Sequence, residues 1–197
     1  MQQQVCYICK LKLFTMQSNW LSLAALLLFL LPQSLLAQKI PFGFLLEKAG
    51  LEVFEPLDAG YRNIQPPEND YLNCQYAIHS NREHLEIRYY VLPWDEADAS
   101  TTAPHVATFR VLTSVATNAD EAVISAIQPD KEALLRDFNA DWGMTYFFTP
   151  KPAFTNEPAC KLLALSKEGQ GTAFVFFLFN DTGNEALDRR EIAVHFK

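Results

Sequence analysis

The sequence predicts an α+β protein, a mostly antiparallel sheet of about five to six strands with two to three helices packed on it. Three observations carry that reading. Runs of β-favouring residues fall in two groups, before and after a helical middle; the apolar period switches accordingly; and strictly alternating βαβ units are absent. Of the 197 residues, 49% are apolar and 13% aromatic, with only seven glycines, which excludes a disordered or collagen-like chain.

The amino end reads as an address label. Residues 1–37 carry Lys10 and Lys12 and no acid, then an apolar run over 21–31, then Pro32 and Leu35-Leu36-Ala37, which is the order of a secretory signal peptide cut after Ala37. The run is shorter than the roughly 20 residues of a bilayer span. Leu35 is larger than the small residue preferred there, so the cut can shift or fail and leave an anchor, and Met16 is a second start. No cysteine lies at the cut, so a lipid anchor is not supported. The expected product is exported, periplasmic or extracellular, with residues 38–197 as one globular domain.

Removing the two lysines of the label leaves 14 basic against 23 acidic residues, a net charge of −9. A surface of that sign repels phosphate backbones, and no Lys/Arg run offsets it, so nucleic acid is not an expected partner. Cys6 and Cys9 form a C-x-x-C inside the label without a second pair or a βαβ context. Cys74 and Cys160 remain. In an oxidising compartment they allow one bridge, worth up to about 4 kcal/mol; two buried free thiols are the alternative.

Residues 50–55 read as the first strand, ended by Pro56, and 61–70 as a Pro-containing loop. Residues 71–80 and 85–92 form two strands around the polar turn 81–84, with Leu85, Ile87, Tyr89 and Val91 on the face to be buried. Pro104 fits a first helical position after Thr101 or Thr102 as cap, and Val106, Phe109, Leu112 and Val115 recur along one stripe. A second helix is expected over 120–127, and a third from Pro129 with Leu134, Leu135 and Phe138, stopped at 139–141. Residues 143–149, 161–167 and 172–179 read as strands, the last two joined by the glycine-containing turn 168–171. Residues 173–179 are all apolar, which requires a central strand covered on both faces or one whose second face meets a ligand. Residues 184–196 pair Glu185 with Arg189 at helical spacing, yet Ile192, Val194 and Phe196 alternate like a strand.

In element order, over most of residues 40–197, the chain resembles the PsbP-like fold, a small α+β domain of accessory proteins in the thylakoid lumen and related exported proteins. No motif residue carries the resemblance. It implies a binding or assembly role rather than catalysis.

The chemistry-bearing residues are sparse. No serine has the G-x-S-x-G frame, no glycine-rich phosphate loop occurs, and no cofactor motif is present. His79, His84, His105 and His195 form no H-x-x-x-H, although His79 and His84 flank a turn where Glu83 or Glu86 could join them on a metal. Asp137 with Asp141, and Asp95 with Glu96 and Asp98, are carboxylate groups better explained as solvated surface. The junction 139–143 puts Trp142 between a helix stop and a strand. Asn180-Asp181-Thr182 matches a glycosylation acceptor, relevant only in a glycosylating host, bacterial or eukaryotic origin being open. The expected function is therefore a non-enzymatic accessory domain contacting a partner protein or a small apolar ligand through aromatics, with Trp94, Trp142 and Tyr146 as candidate ligand-binding residues. The alternative is a periplasmic hydrolase whose His and carboxylate meet only on folding.

Overall fold

The computed structural model describes residues 40–181 and 183–197. The expected signal peptide, Cys6 and Cys9, and Thr182 of the glycosylation acceptor lie outside the described residues. The architecture is α+β as expected, but its sheets are larger. Of the nine strands, counted along the chain, seven form one antiparallel sheet in the order second, third, fourth, eighth, seventh, sixth, fifth, and the first and ninth pair as a separate two-stranded sheet.

Helix α1, Phe42–Lys48, was not anticipated, because Pro41 and Gly43 obscure its apolar spacing. It buries Leu45 and stacks Phe42 on Tyr76 with ring centroids 4.6 Å apart. Strand β1 is Leu51–Val53, and a 3₁₀ turn, Leu57–Ala59, leads to β2, Arg62–Ile64, inside the segment expected to be loop. The expected strand over 71–80 shortens to β3, Tyr76–Ser80. Its first part folds instead around Asn69, whose side-chain oxygen accepts from the backbone N–H groups of Tyr71 and Leu72 at 2.8 and 2.7 Å. Such an Asx turn competes with strand pairing by satisfying the same donors. Strand β4, Leu85–Pro93, follows the 81–84 turn.

Helices α2, Ala99–Thr102, and α3, Pro104–Val115, come next. Pro104 opens α3 as expected, but the residue before it is Ala103, without a side-chain cap. Thr101 is occupied elsewhere, accepting from Asp95 N–H at 3.0 Å and donating to Asp95 O at 2.7 Å. The buried stripe is Ala107, Thr108, Val111, Leu112 and Val115, leaving Val106 and Phe109 exposed at 36% and 67%. Steps of three residues drift around a helix of 3.6 residues per turn, so a stripe drawn at that spacing leaves the buried face within two steps.

The helix expected over 120–127 is absent. Ser125–Ile127 form strand β5 at the sheet edge, with Val123, Ile124 and Ile127 all exposed. A helix there would have had no core to bury a stripe against, the β-branched residues favour extended backbone, and Pro129 biases its predecessor the same way. The third helix does begin as expected. Asp130 caps it, accepting from Ala133 N–H at 2.8 Å, and α4, Lys131–Ala133, widens into a π turn, Leu134–Phe138. Asn139, left-handed at φ 50°, ends it.

Strands β6, Trp142–Phe148, β7, Ala159–Lys167, and β8, Gly171–Phe179, complete the sheet. The ambiguous carboxyl end is both things in turn: helix α5, Ala186–Glu191, then β9, Val194–Phe196. Every residue of β8 is buried because the sheet is covered on both faces. On one face Val175, Phe177 and Phe179 meet Ile87, Tyr89 and Leu163 under α1, α5 and the β1–β9 pair. On the other, Phe174, Phe176 and Leu178 meet Leu162, Cys160, Cys74 and Phe154 under α3. Covered faces, not a ligand, account for the apolar run.

Cys74 and Cys160 are not bridged. Both are free, buried thiols in the core beneath α3. Burial pushes the Cys74 thiol up to about 12 and raises that of Cys160 well above its ordinary value. Among the described residues, no helix is long and apolar enough to cross a membrane.

Candidate functional site

The concave features include a cleft of about 410 Å³ beside α5, lined by Arg82, Glu83, His84, Asp181, Glu185 and Arg189, an apolar groove and a second polar cleft. The apolar groove, about 220 Å³, runs between α3 and the sheet. Tyr90 and Leu92 of β4 form its floor, Ala107, Arg110, Val111 and Ser114 of α3 one wall, and Tyr71 and Leu72 of the Asx-turn loop the other. The floor exists because β4 places alternate residues, Arg88, Tyr90 and Leu92, on the α3 side, and the helical spacing 107, 110, 111, 114 turns one edge of α3 towards it. Tyr71 is 59% exposed, and Lys151 Nζ sits 5.1 Å from its ring centroid. That ammonium is fixed by the last turn of α3, donating to Thr113 O at 2.6 Å and Ser114 O at 3.2 Å. No carboxylate lines the groove, and Arg110 is its charged member.

Trp94, Trp142 and Tyr146 do not line this groove and are not brought to one place. Trp142 and Tyr146 share a face of β6, half-buried against the core under α3. Trp94 follows the end of β4, its N–H donating to Gln170 O at 2.9 Å. Strands β8 and β7 separate β4 from β6, a gap of about 14 Å at the usual strand spacing. The aromatics that do reach the groove are Tyr71 and Tyr90. Tyr71 and Arg110 were missed, although no acid occurs between Asp98 and Asp120, a signal in so acidic a chain.

The remaining chemistry-bearing groups are mostly structural. Asp137 pairs with Arg136 at 2.8 Å, Asp141 accepts from Glu168 N–H at 2.9 Å, and Asp95 accepts from Ala97 N–H at 3.0 Å. Asn139 donates to Lys197 O at 2.9 Å, tying the helix stop to the carboxyl end. Buried Arg88 holds Glu86 at 2.5 Å, donates to Phe154 O at 2.6 Å and lies 4.9 Å from the Phe154 ring centroid. Lys161, buried on the opposite face, sits 2.9 Å from Glu191, whose carboxyl is pushed up by burial. His79 and His84 do not gather a metal site: no group of three His, Cys, Asp or Glu suited to one occurs among the described residues.

The largest polar network fastens α5 to the β3–β4 turn. Arg190 clasps Glu83 with two bonds, 2.6 and 3.0 Å, and reaches Asp58 at 3.2 Å, while Tyr61 donates to Glu83 at 2.7 Å. The Arg190 guanidinium holds the Glu83 and Asp58 carboxyls below their ordinary range. Beside this network the second polar cleft, about 310 Å³, opens over one face of the paired β2 and β3, lined by Arg62, Ile64, His79, Asn81, Arg82, Ala59 and Gly60.

Compared with known proteins, the chain matches no family model, no curated protein and no solved structure.

Proposed function

We propose that the protein is an exported, non-enzymatic binding domain whose α3–β4 groove takes an apolar side chain from an acidic segment of a partner protein. The groove itself carries the reading: about 220 Å³ with apolar walls, two phenols and one guanidinium. That volume lies below the roughly 300–1,000 Å³ of sites for drug-sized molecules and suits one anchoring side chain of a larger partner. Arg110, with Lys151 over Tyr71, gives it a cationic rim on a protein with a strong acidic excess, so an acidic partner segment is complementary there and repelled elsewhere. Exposed Val106 and Phe109 on the outer side of α3 extend the apolar contact area. Export rests on Lys10, Lys12, the apolar run 21–31 and Ala37, and the resemblance to PsbP-like accessory domains points the same way. The hydrolase alternative has in its favour only the cleft of about 410 Å³ where His84 lies with Glu83, Asp181 and Glu185, and Glu83 there is already clasped by Arg190.

The test uses protein recovered from the exported fraction, whose mass should place its first residue at Gln38. A fluorescent peptide with Leu and Phe flanked by glutamates should bind it. Arg110→Glu, which reverses the rim charge, and Ser114→Trp, which fills the groove, should each weaken binding at least about tenfold, a loss of about 1.4 kcal/mol. Unaltered circular dichroism in both variants shows that the fold is intact. Binding by the variants equal to that of the parent, or none by the parent, would refute the reading.

A further inference from the structure

The cleft over the β2–β3 pair has no carboxylate on its lining in a chain with a strong excess of acids. Antiparallel pairing sets Arg62 directly opposite His79, so the guanidinium and the imidazole share one sheet face, and the turn after β3 brings up Asn81 and Arg82. We infer that this cleft is a binding site for a phosphate-type oxyanion, free phosphate or a small phosphate monoester.

The neighbouring acids are already engaged. Glu86, opposite His79 on its other side, is held by Arg88 at 2.5 Å, and Asp58 and Glu83 are held by Arg190. Arg62 is exposed, and its guanidinium has no hydrogen-bond or ion-pair partner among the described residues. Arg82 spends one bond, 3.1 Å, on the Asp58 carbonyl and keeps its other donors. Two guanidinium forks, an imidazole and a carboxamide therefore converge from two strands and a turn with most of their N–H groups unspent. Guanidinium matches phosphate oxygens bidentately, and a concave site lined by one sign of charge focuses the field on its ligand. Donors arriving from separate elements suit a tetrahedral head better than a planar carboxylate. The cleft is separate from the α3–β4 groove, and neither reading depends on the other.

The same head group could arrive free or on a lipid, and calorimetric titration separates the sources. The mature protein would be titrated at constant ionic strength with inorganic phosphate, glycerol phosphate, sodium chloride, and phosphatidylcholine vesicles with or without phosphatidic acid. Binding of phosphate and glycerol phosphate, not chloride, at millimolar or lower concentration is expected, with at least a tenfold loss in Arg62→Gln. Because Arg62 is exposed and its guanidinium unpartnered, that variant keeps the fold, which its unchanged melting temperature in chloride would show. Binding of the phosphatidic acid vesicles alone would replace the free anion by a membrane and overturn the assignment. So would an Arg62→Gln response equal to the parent's, or a phosphate response no greater than chloride's.

Discussion

Single residues in this fold do work that their type alone does not disclose. Gly169 and Gly171 both mark the β7–β8 hairpin in the sequence, and both have positive φ, 73° and 153°. Only one of them is hemmed in. A Cβ on Gly169 would meet nothing within 4 Å, whereas on Gly171 it would stand 2.5 Å from the Leu92 carbonyl oxygen and 3.1 Å from Pro93 Cα, both backbone of the paired strand. Gly171→Ala therefore adds a steric cost to the strain of its backbone angle and should destabilise the protein by about 1–3 kcal/mol more than Gly169→Ala. Urea unfolding of the two variants measures the difference, and equal losses would mean that β4 can yield. The sequence told that a turn lay here; it could not tell which glycine a neighbouring strand approaches, because the strand partner of Gly171, Pro93, lies 78 positions away.

At the scale of elements, legibility followed burial. Strands β4, β6, β7 and β8 were read from local composition because each is packed along its length. Residues 120–127 misled because their side chains are exposed throughout, so a helix there has no core to answer to. Short β1, β2 and β9 owe their existence to distant partners, as does α5, which is held by the Arg190–Glu83–Asp58 network and by Lys161–Glu191. Those two attachments respond oppositely to pH. Arg190 depresses the Glu83 carboxyl, so the unfolded chain takes up protons first and the stability from this pair, full near neutrality, is lost as pH falls through the depressed value. Burial raises the Glu191 carboxyl, so the folded chain holds its proton longer and stability is lost as pH rises from the ordinary glutamate range through the raised value. Glu83→Gln should cost about 1–3 kcal/mol at pH 7 and much less in acid, because it weakens a clasp that acid already opens. Glu191→Gln should flatten the loss on the rising side. Urea midpoints of parent and variants across pH 3–8 check both signs; a Glu83→Gln penalty that is unchanged in acid would contradict the assigned role of the clasp.

The molecule as a whole is organised around one strand. β8 sends Phe174, Phe176 and Leu178 into one core and Val175, Phe177 and Phe179 into the other. The seven apolar residues at 173–179 announced such a strand, but whether its second face met protein or ligand depended on where α3 and the loop carrying Phe154 would lie, a long-range matter that local sequence does not encode. A shared strand couples the two cores. Lifting α3 alone would strand Phe174, Phe176 and Leu162 in water, each worth about 1.5–3 kcal/mol of burial, so opening one core without the other is costly relative to a total stability of about 5–15 kcal/mol. The thiols report on that coupling directly. Cys74 and Cys160 are free, at 3% and 1% exposure, and burial raises both of their pKa values, so the reactive thiolate is scarce until the core beneath α3 opens. In native buffer without reductant both should resist a thiol reagent, and in denaturant both should react, giving one equivalent each at Cys74 and Cys160. If the two cores open together, the urea midpoint for labelling coincides with that for loss of the far-ultraviolet circular dichroism signal. Labelling complete at lower urea would show that α3 and its core open as a separate unit, and would contradict the coupling argued from β8.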